Sequence, residues 1–421
     1  MIQTESLEYF KRFTLKYFTS RSIFLLIILS FFWEPGVSQC KGLQSTVVLS
    51  LDGFRWDYPS KVSTPALDLI AKNGVKAHSL IPSFPTKTFP NHYTLATGLF
   101  PDHHGLVSNS FYDPVMNKYY SIGNAEARSD TSFYGGEPIW VTARNQGVPS
   151  ASFFWVGSDV PIQGTHPDYF KKYNRSIPFA DRIDTVLKWL SMPQDKRPQL
   201  IMAYYEEPDA VGHDFGPDSK ETLAMVHELD SIIGDFYSRL KNLPNGNCIN
   251  FIVLSDHGMG PTSTDRSINL RKYIPEFWPV KIVGGNPNYN LYAEGKWIDS
   301  IYNALQNVEH IKAWRSAEVP EYLCYGKNPR TGNIIVVADS AWSVTDHEND
   351  NYSTGGAHGY DFRNTDMHAI FYATGPSFKQ GYHQPSFQNT NIYPLLANIL
   401  GINPAKNDGD LNQVIEMLKT K

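Results

Sequence analysis

The sequence predicts an α/β domain with a mainly parallel central sheet and helices on both of its faces. From residue 42 onward, short apolar runs rich in β-branched residues alternate with longer segments whose apolar residues recur at helical spacing. The short runs are apolar on both sides, which is typical of buried strands in parallel sheets. Strands that alternate with helices indicate an open sheet that helices cover on both faces.

Five apolar runs are predicted as strands: Thr46–Leu51, Leu200–Tyr205, Asn250–Leu254, Ile334–Ala338 and Ala369–Tyr372. The first run stops at an Asp-Gly pair and the third at a Ser-Asp pair. Because ligands bind outside the carboxyl ends of the strands in sheets of this kind, the residues after each strand are candidates for a functional site.

Two segments are predicted as amphipathic helices. Pro65–Lys72 has helical spacing and ends at Asn73-Gly74. Apolar residues recur every three or four positions through Glu221–Leu240, which is the period of a helix with one buried face.

The composition excludes several classes of protein. Hydrophobic residues make up 41% and charged residues 19% of the 421 residues, which excludes a mainly disordered chain. A formal net charge of −5 does not favour a phosphate backbone as partner, so no nucleic acid is expected in a binding groove. The length allows two or three domains, or one large α/β domain.

Residues 1–38 are interpreted as a targeting segment. Basic residues precede the apolar run Ile23–Trp33, which as a helix would rise about 16 Å, roughly half of a bilayer's hydrocarbon core. Gly36 and Ser38 are small residues two positions apart, as at a signal-peptide cleavage site. Three interpretations stay open: a cleaved signal peptide, an uncleaved signal-anchor and a buried core helix. The first two predict a secreted protein or one on the extracellular face of the membrane, attached only if residues 23–33 remain.

Cysteines and sequons fit an oxidising compartment. One disulfide is possible among the three cysteines. Cys40 lies at the expected flexible end of the domain, so a Cys248–Cys324 disulfide is predicted. Sequons at Asn174 and Asn351 predict N-glycosylation outside the cell.

Acidic residues and histidines cluster after the predicted strands and in a late glycine-rich loop. Three aspartates and three histidines are involved: Asp52, Asp209, His213, Asp256, His257 and His358. A single carboxylate at a strand end usually caps a helix or forms a turn, but three separate clusters favour a metal site. Carboxylate oxygens together with imidazole nitrogens suit zinc.

The run Ser83–Tyr93 contains a candidate nucleophile. A hydroxyl in this run, activated by a bound metal, could attack phosphorus. The alternative is a proline-rich turn in which the threonines cap a helix.

Four motifs, in order, resemble the ectonucleotide pyrophosphatase/phosphodiesterase family of the alkaline-phosphatase-like superfamily. They are Thr86–Tyr93 with Thr97-Gly98 and His104-Gly105, Glu206–Asp209 with Gly212-His213, Ser255–Met259, and Ala357–Gly359. The resemblance covers about Gln44 to Leu411 and implies one catalytic domain over residues 42–411, followed by a C-terminal tail over residues 412–421. The nuclease-like and somatomedin-B-like modules of larger members are not found, so the chain is similar to the short, catalytic-domain-only members.

The resemblance implies two zinc sites and a covalent mechanism. One zinc is implied at Asp209, His213 and His358, and the other at Asp52, Asp256, His257 and the Thr88 oxygen. Thr88 would attack phosphorus and form a phosphothreonine ester. Asn109 matches the family asparagine that, with the Thr88 backbone N–H, donates hydrogen bonds to a phosphate oxygen. Glu206 and Glu207 are given no chemical role.

The resemblance also implies an aromatic slot for a nucleotide base. Its members are Phe89, Trp155, Asp159, Tyr173 and Tyr204. Stacking accepts any base face, so little selectivity among bases is expected. The predicted function is hydrolysis of phosphodiester and pyrophosphate bonds in extracellular nucleotides and dinucleotides, with nucleoside 5′-monophosphates as products.

Three alternatives stay open. A choline-lipid phosphodiesterase of the same family would need a cage for the choline group, and its acidic residue is not identifiable. Ser83–Lys87 partly matches a sulfatase signature, but Lys87 replaces the arginine and the histidine-rich set does not suit a single calcium. A secreted binding protein with an inactive site is the third, although all seven motif ligands are present.

Overall fold

The computed structural model describes Cys40, residues 42–347 and residues 354–420. The targeting segment 1–38 and the sequon at Asn351 lie outside these residues. From Gly42 onward the described chain forms one compact unit. None of the described helices is long and apolar enough to cross a bilayer.

The elements follow one another along the chain with short 3₁₀ helices in many of the connections. The strands are β1 (Ser45–Leu51), β2 (Gly74–Ala77), β3 (Leu80–Ile81), β4 (Ser110–Asp113), β5 (Lys118–Ser121), β6 (Ser150–Phe153), β7 (Tyr169–Lys171), β8 (Leu200–Tyr205), β9 (Ile249–Leu254), β10 (Gly260–Thr262), β11 (Ser267–Asn269), β12 (Lys281–Gly285), β13 (Asn288–Tyr292), β14 (Ile311–Arg315), β15 (Ile334–Ala338), β16 (Ser343–Thr345), β17 (Gly355–Ala357), β18 (Phe371–Thr374), β19 (Tyr382–Gln384) and β20 (Phe387–Gln388). The α-helices are α1 (Pro65–Lys72), α2 (Thr88–Thr97), α3 (Pro101–His104), α4 (Ala125–Ser129), α5 (Ile139–Asn145), α6 (Phe179–Leu190), α7 (Asp209–Phe215), α8 (Lys220–Lys241), α9 (Lys296–Leu305) and α10 (Ile392–Leu400).

The central sheet has eight strands in the order β19, β2, β18, β9, β1, β8, β6, β7. β1 lies between β8 and β9 and is parallel to both, with Thr46 opposite Leu200 on one side and Asn250 on the other. β18 pairs antiparallel with both of its neighbours, β9 and β2. The sheet is therefore mainly parallel, as the sequence predicts, with β18 reversed within it.

Helices cover both faces of this sheet, and each face has its own core. Along β1, Val48 packs with α2, α5 and α10 on one face, whereas Val47, Leu49 and Leu51 pack with α1, α6 and α8 on the other. Each such buried aliphatic side chain stabilises the fold by about 1.5–3 kcal/mol relative to its exposed state. The first core also includes Val414, Met417 and Leu418 from the segment that the sequence predicts as a tail.

A smaller antiparallel sheet with the order β12, β13, β15, β14 packs on α9 around a third core. The predicted strand Ile334–Ala338 is present but is a member of this sheet, paired with β13 and β14. A strand's local pattern reports that it is buried and not which partner it pairs with, so the sequence did not separate the two sheets.

The predicted disulfide is wrong. Cys324 is a free thiol, whereas Cys40 and Cys248 are disulfide-bonded. Cys248 directly precedes β9 of the central sheet, and Cys324 follows a 3₁₀ turn at Glu321–Leu323, in the connection from β14 to β15. Cys248 thus lies next to the central sheet and Cys324 in a connection within the smaller sheet, a separation that spacing along the chain does not show.

Candidate active site

Three aspartates meet at the carboxyl edge of the central sheet. Asp52 follows β1, Asp256 comes two residues after β9, and Asp209 begins α7 after β8. Because these three strands are parallel neighbours, their carboxyl ends bring the three side chains together. The Asp209 N–H donates to the Asp52 carbonyl at 3.1 Å, which joins the start of α7 to the end of β1.

Gly53 allows this close approach. Its φ is +68°, and a Cβ at this position would lie 2.9 Å from Asp209. A side chain there would be strained and would push Asp209 away from the other aspartates.

Each aspartate leaves one buried oxygen without a hydrogen bond. The Tyr204 hydroxyl donates to Asp52 Oδ2 at 2.7 Å, and the Gly53 N–H donates to Asp256 Oδ1 at 3.2 Å. Among the described residues, Asp52 Oδ1, Asp209 Oδ1 and Asp256 Oδ2 have no hydrogen-bond partner. Buried carboxylate oxygens without partners are costly, and a metal ion is the usual compensation.

Three histidines are oriented by backbone carbonyls. The Nδ1 atoms of His213, His257 and His358 lie 2.8, 2.9 and 2.8 Å from the carbonyl oxygens of Gly356, Gly258 and Thr86. A carbonyl can only accept, so each Nδ1 carries the proton and each Nε2 has a free lone pair. This is the orientation in which histidine binds a metal.

The free donor atoms of these six residues lie close to one another. His257 Nε2 is 3.3 Å from Asp52 Oδ1 and 3.1 Å from Asp256 Oδ2. His213 Nε2 is 3.1 Å from His358 Nε2 and 3.5 Å from Asp209 Oδ2. Two sets have ligand atoms within 4.8 Å of one another: Asp52, Asp256 and His257, and Asp209, His257 and His358. The structure thus brings all six predicted ligands together, and His257 lies near both sets.

The electrostatics of the cluster fit a bound cation. Burial and the nearby carboxylates of Asp256 and Asp209 raise the pKa of Asp52 well above its usual range. Burial, with His257 and His213 close by, holds the pKa of His358 well below its ordinary value, so its ring stays neutral. Facing lone pairs and carboxylates repel one another unless a cation lies between them. Oxygen and imidazole donors of this kind suit zinc and similar divalent metals.

Thr88 is the first residue of α2 and faces this cluster. Its Oγ1 lies 3.2 Å from His257 Nε2. The helix begins here because the backbone of Lys87 is extended. Pro90 fits the first turn because an N–H at that position would have no partner within the helix, so its absence costs no hydrogen bond. The first N–H groups of a helix are unpaired and attract anions, which suits a phosphate. Asn109 lies at the same helix end, where its Oδ1 accepts from the Phe89 N–H at 3.0 Å.

A cavity of about 430 Å³ opens beside Thr88 and is lined by Asp52 and Asp209 as well. All five residues predicted for the aromatic slot line it: Phe89, Trp155, Asp159, Tyr173 and Tyr204. Trp155 is buried and its Nε1 donates to the His92 carbonyl at 2.9 Å. The cavity therefore joins an apolar wall to the metal-binding cluster.

Comparison with known proteins agrees with this arrangement. The family model described as type I phosphodiesterase/nucleotide pyrophosphatase matches residues 46–361. The chain belongs to this family. The fold matches the solved structure of murine ectonucleotide pyrophosphatase/phosphodiesterase 5 in complex with AMP, with a TM-score of 0.85 and 36% identity. That match covers 89% of this chain and 100% of the other.

Curated members of the family are longer than this chain. It is 36% identical over 388 residues to human ectonucleotide pyrophosphatase/phosphodiesterase family member 1, covering 89% of this chain and 42% of that protein. It is 36% identical over 401 residues to venom phosphodiesterase 2 of Crotalus adamanteus, covering 92% of this chain and 49% of that protein. The chain thus spans less than half the length of either relative.

Two further residues of the family motif Thr86–Tyr93 support the site. The Asn91 Oδ1 accepts from the Ser83 N–H at 2.7 Å, and its Nδ2 donates to the Lys87 carbonyl at 2.9 Å, which fixes the loop before Thr88. The His92 Nε2 is 2.8 Å from Ser50 Oγ, and its Nδ1 is 3.2 Å from Asp256 Oδ2. The sequence could have indicated both residues by helical spacing. Asn91 and His92 lie three and four positions after Thr88, so they share its side of a helix.

The cavity has wall residues that sequence reasoning missed or left without a role. They are Arg128, Tyr134, Phe154, Arg175 and Glu206. Phe154 has a φ of +72°, in the left-handed region that few bulky residues adopt. No sequence pattern predicts that Phe154 adopts this conformation. Glu206 could have been considered, because it lies in the motif Glu206–Asp209 that the family resemblance identifies.

Proposed function

We propose that this family member hydrolyses phosphodiester and pyrophosphate bonds of nucleotides and dinucleotides and releases nucleoside 5′-monophosphates. One observation carries the proposal: the Thr88 hydroxyl lies 3.2 Å from Nε2 of the predicted metal ligand His257, beside a cavity lined by aromatic residues. The AMP complex of the murine relative supports a nucleoside monophosphate as the bound group.

We propose two zinc ions as the metals. Asp209, His213 and His358 would hold one, and Asp52, Asp256, His257 and the Thr88 oxygen would hold the other. Bound zinc would lower the pKa of a coordinated hydroxyl and offset the charge of the phosphate. The unpaired oxygens of the three aspartates and the three aligned histidines support this assignment.

The chain's own residues would carry the covalent steps. Thr88 would give its hydroxyl proton to solvent water, and its Oγ1 would attack phosphorus in line while the bond from phosphorus to the leaving-group oxygen breaks. That oxygen would leave with the bonding electrons. The product of this step is a phosphothreonine ester that carries the nucleoside. The Asn109 side-chain amide N–H and the Thr88 backbone N–H would donate to the phosphate oxygens as charge builds on them. Water then attacks phosphorus, which frees Thr88 and releases the nucleoside 5′-monophosphate.

The cavity wall would hold the nucleoside. Phe89, Trp155, Tyr173 and Tyr204 offer aromatic faces and Asp159 a carboxylate beside them. The relatives' name of ectonucleotide enzymes supports placement outside the cell, either secreted or on the extracellular face of the membrane. Asn174 is exposed, as a glycosylation site must be.

A panel of chromogenic esters tests the proposal. Zinc-loaded protein should hydrolyse a 4-nitrophenyl ester of a nucleoside 5′-monophosphate much faster than 4-nitrophenyl phosphocholine or 4-nitrophenyl sulfate. Preference for the phosphocholine ester would replace the nucleotide function with the lipid one. Preference for the sulfate ester, or no turnover at all, would overturn phosphodiesterase activity.

A further inference from the structure

Arg182 is a charged residue on the buried face of a helix. It shares this face of α6 with Phe179, Ile183, Val186 and Leu190, all of which pack into the core. The side chain of Arg182 is 2% exposed. Arginine is almost never fully buried unless it is paired, so this position requires specific partners.

The guanidinium group of Arg182 is satisfied on its edges and on its faces. It donates to Glu206 through two parallel hydrogen bonds, Nη1 to Oε2 at 2.7 Å and Nη2 to Oε1 at 3.0 Å. Its Nε donates to the Ile177 carbonyl at 3.0 Å, and Nη1 also donates to the Tyr204 carbonyl at 3.1 Å. The rings of Phe154 and Tyr205 each lie 5.0 Å from its Cζ.

These partners belong to three separate segments of the cavity wall. Phe154, Tyr204 and Glu206 line the cavity, whereas Arg182 does not. Tyr173, which also lines it, packs edge-on against Phe154 with ring centroids 5.2 Å apart. Tyr173 and Ile177 both lie in the loop between β7 and α6, so the bond to the Ile177 carbonyl ties the arginine to the loop that carries Tyr173. One buried side chain therefore connects the segments at residues 154, 173–177 and 204–206.

Glu206 extends the connection to the rim. Its Oε1 lies 3.8 Å from Nε of Arg175, which lines the cavity and is 64% exposed. A planar fork with two parallel hydrogen bonds fixes orientation as well as distance, which a lysine cannot reproduce. The Arg182–Glu206 pair thus holds the deep part of one wall and lies beside its exposed rim.

We propose that Arg182 and Glu206 are positioning residues that set the specificity of the cavity for phosphodiesters that carry a base. The inference rests on the proposed function, because it assigns the wall to the nucleoside side of the substrate. Neither residue belongs to the metal cluster, and among the described residues neither is hydrogen-bonded to one of its six predicted ligands. Their effect falls on KM for substrates that fill the cavity and not on the chemical step.

The test compares Arg182→Lys and Glu206→Gln with Arg330→Lys. Arg330 is a matched control, since its side chain is 13% exposed, pairs with Asp113 at 2.6 Å and does not line the cavity. KM is measured for a 4-nitrophenyl ester of a nucleoside 5′-monophosphate and for methyl 4-nitrophenyl phosphate, which has neither a base nor any other ring on its non-leaving side. Calorimetry measures AMP binding, and thermal unfolding measures Tm.

We expect both wall variants to raise KM for the nucleotide ester and Kd for AMP about tenfold, within the range for losing one stacking contact. Their kcat on methyl 4-nitrophenyl phosphate should change less than about twofold. Arg330→Lys should lower Tm about as much as the two wall variants do, but it should leave KM for both esters unchanged. Equal losses on both esters, or unchanged AMP binding in folded variants, would overturn the proposal.

Glu206→Gln keeps the test decisive if Arg182→Lys does not fold, because Glu206 lies nearer the surface, with 13% side-chain exposure. A wild-type protein that hydrolyses neither ester would overturn the proposed function instead. AMP binding would still decide whether the pair shapes a nucleotide site.

Discussion

The metal-binding cluster and the cavity wall beside it are held by different kinds of structure. Asp52, Asp209 and Asp256 come within four residues after parallel strands, whose positions the sheet's hydrogen bonds fix. The wall comes from irregular segments around Phe154 and Tyr173, which Arg182 joins from behind. The proposed function places the chemistry at the sheet edge, whereas the proposed choice of substrate depends on a wall that separate contacts support.

Removal of the metal is the change from which we expect the largest loss of activity. Dialysis against a chelator should reduce turnover of esters with and without a base to background, because every predicted ligand serves the chemical step. Zinc should restore both activities. Metal analysis checks the number, since fewer than about two equivalents in fully active protein would contradict the two-zinc assignment.

Metal affinity should fall as pH is lowered. A histidine binds metal only when neutral. Asp256 outweighs the effect of burial and raises the pKa of His257 above its ordinary value, so a proton competes with the metal there first. The lowered pKa of His358 keeps its lone pair available to more acidic pH. Competition titrations with a chelator between about pH 8 and 5 should show this loss, and a flat profile would contradict it.

Thr88→Ala should reduce kcat by a factor on the order of 10³ or more, because a methyl group cannot form the covalent ester. Metal content and Tm should stay at wild-type values. Mass spectrometry of acid-quenched reactions should find the nucleotidyl adduct in wild type and not in the variant. A residual rate within about tenfold of wild type would contradict the nucleophile assignment. Thr88→Ser, which keeps a hydroxyl, is the control.

Tyr204→Phe sharpens the comparison because Tyr204 belongs to both regions. Its ring lines the cavity, and its hydroxyl donates to Asp52 Oδ2 at 2.7 Å. Loss of a hydrogen bond to a metal ligand typically costs about 10- to 100-fold in metal affinity. The ring stays, so KM for a nucleotide ester at saturating zinc should be unchanged.

Tyr134→Phe is the matched control for that variant. Tyr134 also lines the cavity, but its hydroxyl donates to the Arg128 carbonyl at 2.7 Å and not to a predicted ligand. Its metal affinity should equal that of wild type. Equal metal affinities in Tyr204→Phe and wild type would show that Tyr204 serves the wall alone.

The sequence predicts the centre of the fold well because its strands are buried on both faces. β8 matches its predicted range, and β1 and β9 each begin one residue earlier than predicted. β6, with the sequence Ser-Ala-Ser-Phe, is buried as well, yet it has no apolar run that would reveal it. The antiparallel pairing of β18 and the separate sheet of β15 depend on long-range partners, which local patterns do not contain.

The same distinction applies to the site. The six predicted metal ligands could be chosen because each directly follows a strand or lies in a short ordered motif. The aromatic members of the slot could be predicted only from the family resemblance. The residues that hold the slot from behind, such as Arg182, were not predicted. Arg182 occupies a position on α6 that looks like any other charged residue until Glu206, 24 positions away, is known to face it.

Tyr173→Ala is expected to have the smallest effect, and it tests the wall alone. The residue is 47% exposed and packs edge-on against Phe154, so it offers a base one partly solvated face. Stacking is worth about 1–3 kcal/mol per base, and the low end corresponds to about a fivefold rise in KM for a nucleotide ester. The rise should be similar for adenine and pyrimidine esters, because the ring reads a base face and not its edges, and it should be absent for methyl 4-nitrophenyl phosphate. Tyr119→Ala is the control, since Tyr119 is 55% exposed and lies on β5 outside the cavity. Full nucleotide activity in Tyr173→Ala would remove this residue from the slot, and a loss confined to a choline ester would replace the nucleotide assignment with the lipid one.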